Sequence, residues 1–182
     1  MAGVSSSDIP GGIPVDPEKV EKLVQEVVRE VLSRRGDGRR IALGSDHGGF
    51  ELKQRLRSLL EGKGYAVLDV GCHSKEACDY PDFAKAVAQA VLKGACAQGI
   101  MIDGAGIGSS MACNRFPGIR AALCYDMKTI LNSRAHNNAN VLTLGSTANP
   151  PDAVDAMVLA WLATPFEGGR HQKRVDKIER DV

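Results

Sequence analysis

Long hydrophobic segments are missing from this sequence of 182 residues. No apolar run approaches the roughly 18–20 residues that a helix needs to cross a bilayer, which excludes a membrane-spanning helix. An excess of either charge is missing as well, since 23 Lys and Arg residues stand against 22 Asp and Glu residues. The net charge of +1 therefore gives no electrostatic reason to expect nucleic acid or an acidic membrane surface as a partner.

Paired cysteines are also missing. The five cysteines are odd in number, and none of them forms a Cys-x-x-Cys pair. Because no secretory signal is visible, we expect reduced thiols in the core or in loops of a cytoplasmic protein. Cys72, His73 and Cys78 are loosely spaced and lack a fourth ligand, so we expect no metal site.

The beginning of the chain differs in character from the rest. It is rich in Ser, Gly and Pro, which predicts a flexible segment. Asp16 and Pro17 then form a typical helix start. Apolar residues recur every three or four positions after them, which predicts an amphipathic helix over residues 17–35. We therefore divide the chain into an extension (1–38) and a domain (39–182).

The predicted helix of the extension is typical of a docking element that binds a groove on a partner. Alternatively, it folds back onto its own domain or pairs in an oligomer. Its polar face mixes acidic and basic residues and lacks Trp or Phe anchors, which disfavours a membrane surface. In shape and composition it resembles the encapsulation peptides that carry enzymes into bacterial microcompartments. This resemblance implies that residues 17–35 bind shell proteins and that the protein resides inside a microcompartment.

Short apolar segments alternate with amphipathic ones through the domain. Strands are predicted at residues 41–44, 66–70, 100–102, 121–124 and 141–144. In the helix after the first strand, Lys53 is predicted on a polar side, away from the leucines. The alternation predicts an α/β fold, a three-layer Rossmann-like sandwich with a five-stranded parallel sheet. A dinucleotide site is disfavoured because no Gly-x-Gly-x-x-Gly turn follows the first strand.

The stretch at residues 99–115 is the most informative part of the domain. A buried-strand pattern ends at Asp103, glycine occupies every second position after it, and a helix is predicted from Ser109. A strand, a glycine turn and a helix N-terminus together present backbone N–H groups to an anionic ligand. We expect Asp103 at the edge of the sheet where open α/β folds bind their ligands.

Polar residues gather beside other strands too. Asp46 and His47 follow the first strand, and Tyr80 lies in the loop after the second. Residues 133–138 precede the fifth strand, and residues 168–174 lie near the chain end. We expect all of these segments to converge with the glycine turn at the carboxyl edge of the sheet. Each has an ordinary explanation, such as a helix cap or a solvated face, but together they indicate an anionic, oxygen-rich substrate.

Five motifs in this order make the sequence recognisable. They are Gly-Ser-Asp-His-Gly-Gly-Phe-Glu-Leu-Lys (44–53), Asp-Tyr-Pro (79–81), Gly-x-Gly-x-Gly-x-Ser-Met-Ala-x-Asn-Arg (104–115), Ser-Arg-Ala-His-Asn-Asn-Ala-Asn-Val-Leu (133–142) and Glu-Gly-Gly-Arg-His-Gln-x-Arg (167–174). They closely resemble type B ribose-5-phosphate isomerases, a family that includes the galactose-6-phosphate isomerase subunits. The resemblance implies a cofactor-free interconversion of ribose 5-phosphate and ribulose 5-phosphate. It also implies a homodimer, often paired into a tetramer, whose active sites share residues between subunits.

The resemblance assigns roles to individual residues. His136 matches the residue that opens the sugar ring, a proton transfer that suits an imidazole titrating near neutrality. The amides of the glycine turn would stabilise the negative charge of an enediolate, and two arginines would hold the phosphate. The predicted substrate-binding residues are Asp46, His47, Tyr80, Gly104, Ala105, Gly106, Ile107, Gly108, Asn137, Arg170 and Arg174.

The chain departs from the family pattern where the chemistry is expected. The usual catalytic base is a cysteine at position 103, where this chain has Asp103, and the glutamate that replaces it in some members would fall at Ser109. Ala105 stands in place of a small hydroxyl residue, and Thr147 in place of a phosphate-binding arginine. We predict that Asp103 is itself the base, because desolvation in a cleft can tune a carboxylate for this task. The alternatives are an isomerase of a different sugar phosphate, and a non-catalytic phosphosugar-binding or cargo protein.

Overall fold

The computed structural model describes residues 40–180. The extension, with the helix predicted over residues 17–35, lies outside the described residues. The strands are β1 (Arg40–Ser45), β2 (Ala66–Asp69), β3 (Gln98–Asp103), β4 (Ala121–Leu123) and β5 (Val141–Gly145). The helices are α1 (Phe50–Gly62), α2 (Tyr80–Leu92), α3 (Ile107–Cys113), α4 (Met127–Ala135), α5 (Pro151–Ala163) and α6 (Gln172–Arg180). Among these helices, none has the length and apolarity to cross a membrane.

The sheet has the order β2-β1-β3-β5-β4, and every neighbouring pair is parallel. The predicted α/β sandwich with a five-stranded parallel sheet is therefore confirmed. The chain first adds β2 on one side of β1 and then returns to place β3 on the other side. This reversal leaves a crevice between the carboxyl ends of β1 and β3, the usual ligand position in open α/β sheets.

Two apolar clusters cover the two faces of the sheet. One contains Leu56 of α1 and Trp161 of α5, both fully buried, and the other contains Val87 of α2 and Cys113 of α3. Gly99 of β3 lets α2 approach closely, because a Cβ atom there would lie 2.5 Å from Val87 Cγ1. Burial on both faces explains why the strands read as apolar runs without alternation.

Lys53 on α1 is buried, although the sequence predicted it on a polar side of the helix. Its side chain is fully buried, and its Nζ atom donates to both carboxylate oxygens of Asp69 at 2.6 Å. The Asp69 Oδ1 atom also accepts the Gly71 N–H at 3.1 Å. The predicted polar side of the helix is thus wrong for Lys53, because a carboxylate on the neighbouring strand β2 compensates the buried ammonium group.

This ion pair gives a stability prediction. Asp69→Ala leaves the Lys53 ammonium buried without its carboxylate, so we expect the free energy of unfolding to fall by about 3–5 kcal/mol. The double variant Lys53→Met/Asp69→Ala removes both charges and should recover most of that loss. Urea unfolding at one fixed protein concentration measures both. Equal stability of the single and double variants would contradict the assignment of Asp69 as the partner that compensates the buried Lys53 charge.

Candidate active site

The crevice between β1 and β3 is lined by the residues that follow each strand. The Asp46 N–H donates to the carbonyl of Ile102 at 3.1 Å, and its Oδ1 atom accepts the Gly49 N–H at 2.9 Å. Asp46 is buried at the start of α1, whereas the next side chain, His47, is exposed. The Nδ1 atom of His47 lies 3.2 Å from the backbone nitrogen of Cys78. The predicted pair Asp46 and His47 therefore does lie at the carboxyl edge.

Asp103 ends β3 and is only 5% exposed. Its Oδ1 atom accepts the N–H groups of Ala105, at 2.8 Å, and of Gly106. Its Oδ2 atom accepts the N–H of Ser109, at 3.0 Å, and the Ser109 hydroxyl. A carboxylate offers about four lone-pair directions, so hydrogen bonds from its own loop and helix occupy all of them. Two of the amides that the sequence assigned to the ligand, those of Ala105 and Gly106, instead bind Asp103.

The glycine turn is held from several sides. The Tyr125 hydroxyl donates to the Ala105 carbonyl at 2.6 Å, and the Thr147 hydroxyl donates to the Gly104 carbonyl at 2.9 Å. Gly106 has φ +79°, a left-handed conformation that favours glycine and turns the chain into α3 two residues earlier than predicted. These contacts fix the turn before any ligand arrives.

Tyr80 lies directly against the turn. A Cβ atom at Gly108 would lie 2.5 Å from Tyr80 Cζ, so only glycine allows the ring to pack there. Tyr80 is 37% exposed, so part of this side chain remains accessible to solvent beside the turn. The structure therefore brings together Asp46, His47, Tyr80, Asp103 and the 104–108 turn.

His136 and the residues near the chain end lie elsewhere, at the opposite edge of the sheet. Asp103 pairs in register with Gly145 at the carboxyl end of β5, whereas Val141 begins β5 at its amino end. His136 follows the end of α4 and precedes β5. Four residues of strand separate the two edges by roughly 13 Å. The expectation that residues 133–138 join the carboxyl edge is therefore wrong, because a residue that precedes a parallel strand lies at its amino end.

The chain-end segment lies at the same amino edge. The Glu167 N–H donates to the Ala135 carbonyl at 3.0 Å, and Arg134 Nε contacts the Thr164 carbonyl at 3.3 Å. Residues 168–174 follow directly, so the expectation that they reach the carboxyl edge is also wrong. Asn137, Arg170 and Arg174 belong with His136 rather than with Asp103.

Three side chains form what we call the amino-edge cluster: His136, Glu167 and His171. The rings of His136 and His171 are stacked, with centroids 4.1 Å apart and an interplanar angle of 4°. The Glu167 Oε2 atom lies 3.6 Å from His136 Nε2 and 3.7 Å from His171 Nε2. Burial and the positive charge of Arg170, together with that of His136 when it is protonated, hold the pKa of His171 below its usual value, which favours a neutral His171 ring at neutral pH.

An amide network orients His136. Asn137 Nδ2 donates to the Asn132 Oδ1 atom at 3.0 Å, and this contact directs Asn132 Nδ2 toward His136 Nδ1 at 2.9 Å. The Nδ1 atom of His136 therefore accepts, and a neutral ring carries its proton on Nε2, facing Glu167. Asn137, predicted to line the sugar, thus also acts on His136 through Asn132.

The cysteines offer no replacement for the missing thiol base. All five are free. Burial raises the pKa of Cys113 to about 12, and burial together with a contact to Cys72 raises the pKa of Cys78 to about 11. Thiols with such pKa values are protonated at neutral pH and are poor nucleophiles.

Sequence reasoning missed several residues at both edges: Ser109 as a partner of Asp103, Tyr125 as a support of the turn, and Glu167 and His171 beside His136. The quoted motifs specify two of these four residues, Glu167 and His171, and include Ser109 only as an unspecified position. Contacts between distant segments give no local signal. Among residues 40–180, the group of side chains that could hold a metal ion is the amino-edge cluster, whose ligand atoms all lie within 4.8 Å of one another.

Comparison with known proteins places this geometry in a family. Residues 41–178 match the family described as Ribose/Galactose Isomerase. The chain is 44% identical over 140 residues to ribose-5-phosphate isomerase B of Escherichia coli K12, covering 77% of this chain and 94% of that protein.

Solved structures agree. The ribose-5-phosphate isomerase B of Clostridium thermocellum matches with TM-score 0.76 and 47% identity, over 77% of this chain and 95% of that one. The type B enzyme of Trypanosoma brucei matches with TM-score 0.75 and 40% identity, over 78% and 97% of the respective chains. The chain therefore belongs to the ribose/galactose isomerase family, among the type B ribose-5-phosphate isomerases.

Proposed function

We propose that this protein is a cofactor-independent aldose–ketose isomerase that interconverts ribose 5-phosphate and ribulose 5-phosphate through an enediolate. Relatives of similar length are named ribose-5-phosphate isomerase B. The most direct structural support is the buried carboxylate at the carboxyl end of the central strand, enclosed by a glycine turn. An isomerase of this kind needs a base that moves a proton between two adjoining carbons, and donors that stabilise the anion formed between the two steps.

Asp103 is the base in this proposal. To accept a proton from carbon it must release one of its four hydrogen bonds. Three of the donors are backbone amides held by the turn and by α3, whereas the Ser109 hydroxyl can rotate about a single side-chain bond. Rotation of Ser109 would therefore free one lone pair of Oδ2. Asp103 does not use the amides of Gly104, Ile107 and Gly108, and these are the donors proposed for the enediolate.

The complete site requires two copies of the chain. Asp103 and His136 lie at opposite edges of one sheet, roughly 13 Å apart along the strands, so one bound sugar cannot contact both residues of the same chain. A two-fold dimer would place the amino edge of one subunit against the carboxyl edge of the other. Large apolar side chains near the turn are exposed and suit such a contact: Ile107, Met111, Tyr125, Met127 and Leu131. Pairing of two such dimers would give the tetramer.

The amino edge supplies ring opening and phosphate binding in this arrangement. The Nε2 proton of His136 is available for transfer to or from the ring oxygen. Arg170 and Arg174 are exposed and four residues apart at the start of α6. They would bind the phosphate by charge-assisted hydrogen bonds. In the predicted site the carboxyl edge adds no arginine, since position 147 is Thr147, whose hydroxyl supports the turn.

The activity itself is directly testable. Purified full-length protein should convert ribose 5-phosphate to a ketose without added metal or cofactor, measured by ketose formation over time. Galactose 6-phosphate serves as the comparison substrate. A preference for it would favour the alternative of an isomerase with a different sugar phosphate. No turnover of any sugar phosphate would contradict the proposal.

The hydrogen bonding of Asp103 favours a second candidate, a phosphosugar-binding protein without catalysis. A carboxylate with four donors is already stabilised as a structural anchor for the turn. Such a protein would bind ribose 5-phosphate through Arg170 and Arg174 but would not convert it. Calorimetric binding of ribose 5-phosphate together with absent ketose formation would support this candidate.

We further propose that residues 17–35 address the protein to a microcompartment by binding shell proteins. The support is the amphipathic pattern next to a Ser-, Gly- and Pro-rich segment. Deletion of residues 1–38 should leave the kinetic constants and the oligomeric state unchanged but abolish co-purification with shell proteins. Dissociation or unfolding of the truncated protein would instead show that the helix packs within its own assembly.

A further inference from the structure

The amino-edge cluster converges on one point. The Glu167 Oε2 atom lies 3.6 Å from a nitrogen of His136 and 3.7 Å from a nitrogen of His171, so one oxygen is close to both rings. Around a tetrahedral Zn²⁺ ion with bonds of about 2.0–2.1 Å, ligand atoms are roughly 3.3–3.4 Å apart. These two distances are only slightly longer, and all three ligand atoms lie within 4.8 Å of one another. A small contraction toward Glu167, together with a movement of one imidazole ring, would bring the three atoms to metal-binding separation.

The chemistry of the three ligands suits a divalent transition metal. Two imidazole nitrogens and one carboxylate oxygen form a set that binds Zn²⁺ and its neighbours in the first transition row. The Arg170 Nε–H can only donate, so its 3.3 Å contact identifies His171 Nε2 as an acceptor with a lone pair. The Nε2 atom of His136 carries a proton in the orientation set by Asn132, and a metal ion would displace it.

Binding requires two local movements, and the more exposed residues can make them. Stacked rings direct their lone pairs in parallel, so one ring must incline before both can reach a single ion. The His136 side chain is 36% exposed and that of Glu167 is 58% exposed, whereas that of His171 is 6% exposed. His171 therefore provides the fixed ligand, and His136 and Glu167 adjust to it. Arg170 would give up its long contact with His171.

We propose that His136, Glu167 and His171 form a binding site for a divalent transition-metal ion of the Zn²⁺ type, with water completing the coordination. The occupied site inhibits the isomerase, because the metal takes the Nε2 atom of His136 that would otherwise transfer the proton in ring opening. The binding site stands on the geometry of the cluster alone. The inhibition rests on the proposed function.

Titration calorimetry of the full-length, metal-free protein with Zn²⁺ tests the binding. We expect one site per chain whose affinity falls by about tenfold or more in Glu167→Gln and in His171→Gln, because ligands and their close neighbours typically account for factors of this size or larger. His73→Gln is the matched control, since His73 is exposed in the loop that carries Cys72 and Cys78. Unchanged affinity in Glu167→Gln, or lost affinity in His73→Gln, would overturn the proposal.

Co²⁺ is a spectroscopic probe that distinguishes binding at the amino-edge cluster from binding at the loop that carries Cys72 and Cys78. Nitrogen and oxygen ligation gives visible d–d bands without thiolate charge transfer, whereas binding by Cys72 or Cys78 adds a strong charge-transfer band in the near ultraviolet. The first spectrum supports the amino-edge cluster, and the second overturns it.

Activity measurements complete the test. Zn²⁺ should inhibit turnover of ribose 5-phosphate by the unmodified protein, and Glu167→Gln should require about tenfold more Zn²⁺ for the same inhibition, relative to its own metal-free rate. Binding at the cluster without inhibition would overturn the inhibitory role and the part of His136 in ring opening. Absence of any metal-free activity would contradict the proposed function, while calorimetry would still decide the metal site.

Discussion

Asp103→Asn is expected to lower kcat for ribose 5-phosphate by about three orders of magnitude, because general acid–base groups contribute roughly 10²- to 10⁴-fold. The amide cannot take a proton from carbon. The asparagine side chain also turns its NH₂ group toward one of the backbone N–H groups that donate hydrogen bonds to the carboxylate. Because this mismatch reduces stability too, kcat must be expressed per folded molecule, with the folded fraction taken from urea unfolding.

Ser109→Ala is the matched control for this prediction. The substitution removes the hydroxyl hydrogen bond to Oδ2 and keeps the backbone hydrogen bond of the same residue. If Asp103 is the base, the freed lone pair should leave kcat unchanged or higher. If Asp103 only anchors the turn, Asp103→Asn and Ser109→Ala should both change stability while kcat per folded molecule remains close to that of the unmodified protein. Asp103→Cys, which restores the usual family residue, should retain activity.

Mixing two inactive variants is expected to restore activity. Asp103→Asn disables the carboxyl edge and His136→Asn disables the amino edge. After dissociation and random reassociation, half of the dimers carry one variant of each kind, and each of these has one intact site, so about a quarter of the normal activity should return. The measurement is turnover before and after joint reassociation of equal amounts.

Two controls make the mixing experiment decisive. Asp103→Asn mixed with Asp103→Ala should recover nothing, since every site then lacks a base. Formation of mixed dimers can be followed with a charge or mass label on one variant. If mixed dimers form and activity stays absent, the two residues do not act on the same substrate molecule, and the shared site is excluded.

Local sequence patterns were sufficient to predict the strands and the position of the glycine turn. The strand predicted at 100–102 lies within β3, and the glycine turn follows Asp103 as expected. Such predictions work because the periodicity of apolar residues reports which faces are buried, and because glycine marks the backbone positions that other residues cannot adopt. The resemblance to type B ribose-5-phosphate isomerases is confirmed by the family match over residues 41–178.

The partners of individual side chains could not be predicted in this way. Lys53 was placed on a polar side, but Asp69 on the adjacent strand β2 lets it be buried. The amides of Ala105 and Gly106 were expected to face a ligand, but they bind Asp103. These contacts depend on strand register and on the conformation of one turn, and residue type alone does not encode either of them.

The sequence by itself determined the α/β fold, the position of the glycine turn and the family, because each rests on short-range periodicity and on motifs that are contiguous in the chain. Only the tertiary structure decided that Asp103 and His136 lie at opposite edges of the sheet. The physical reason is the parallel arrangement. Each strand carries its following loop to one edge and its preceding loop to the other, so two residues assigned to one proposed reaction lie at opposite edges of the same sheet.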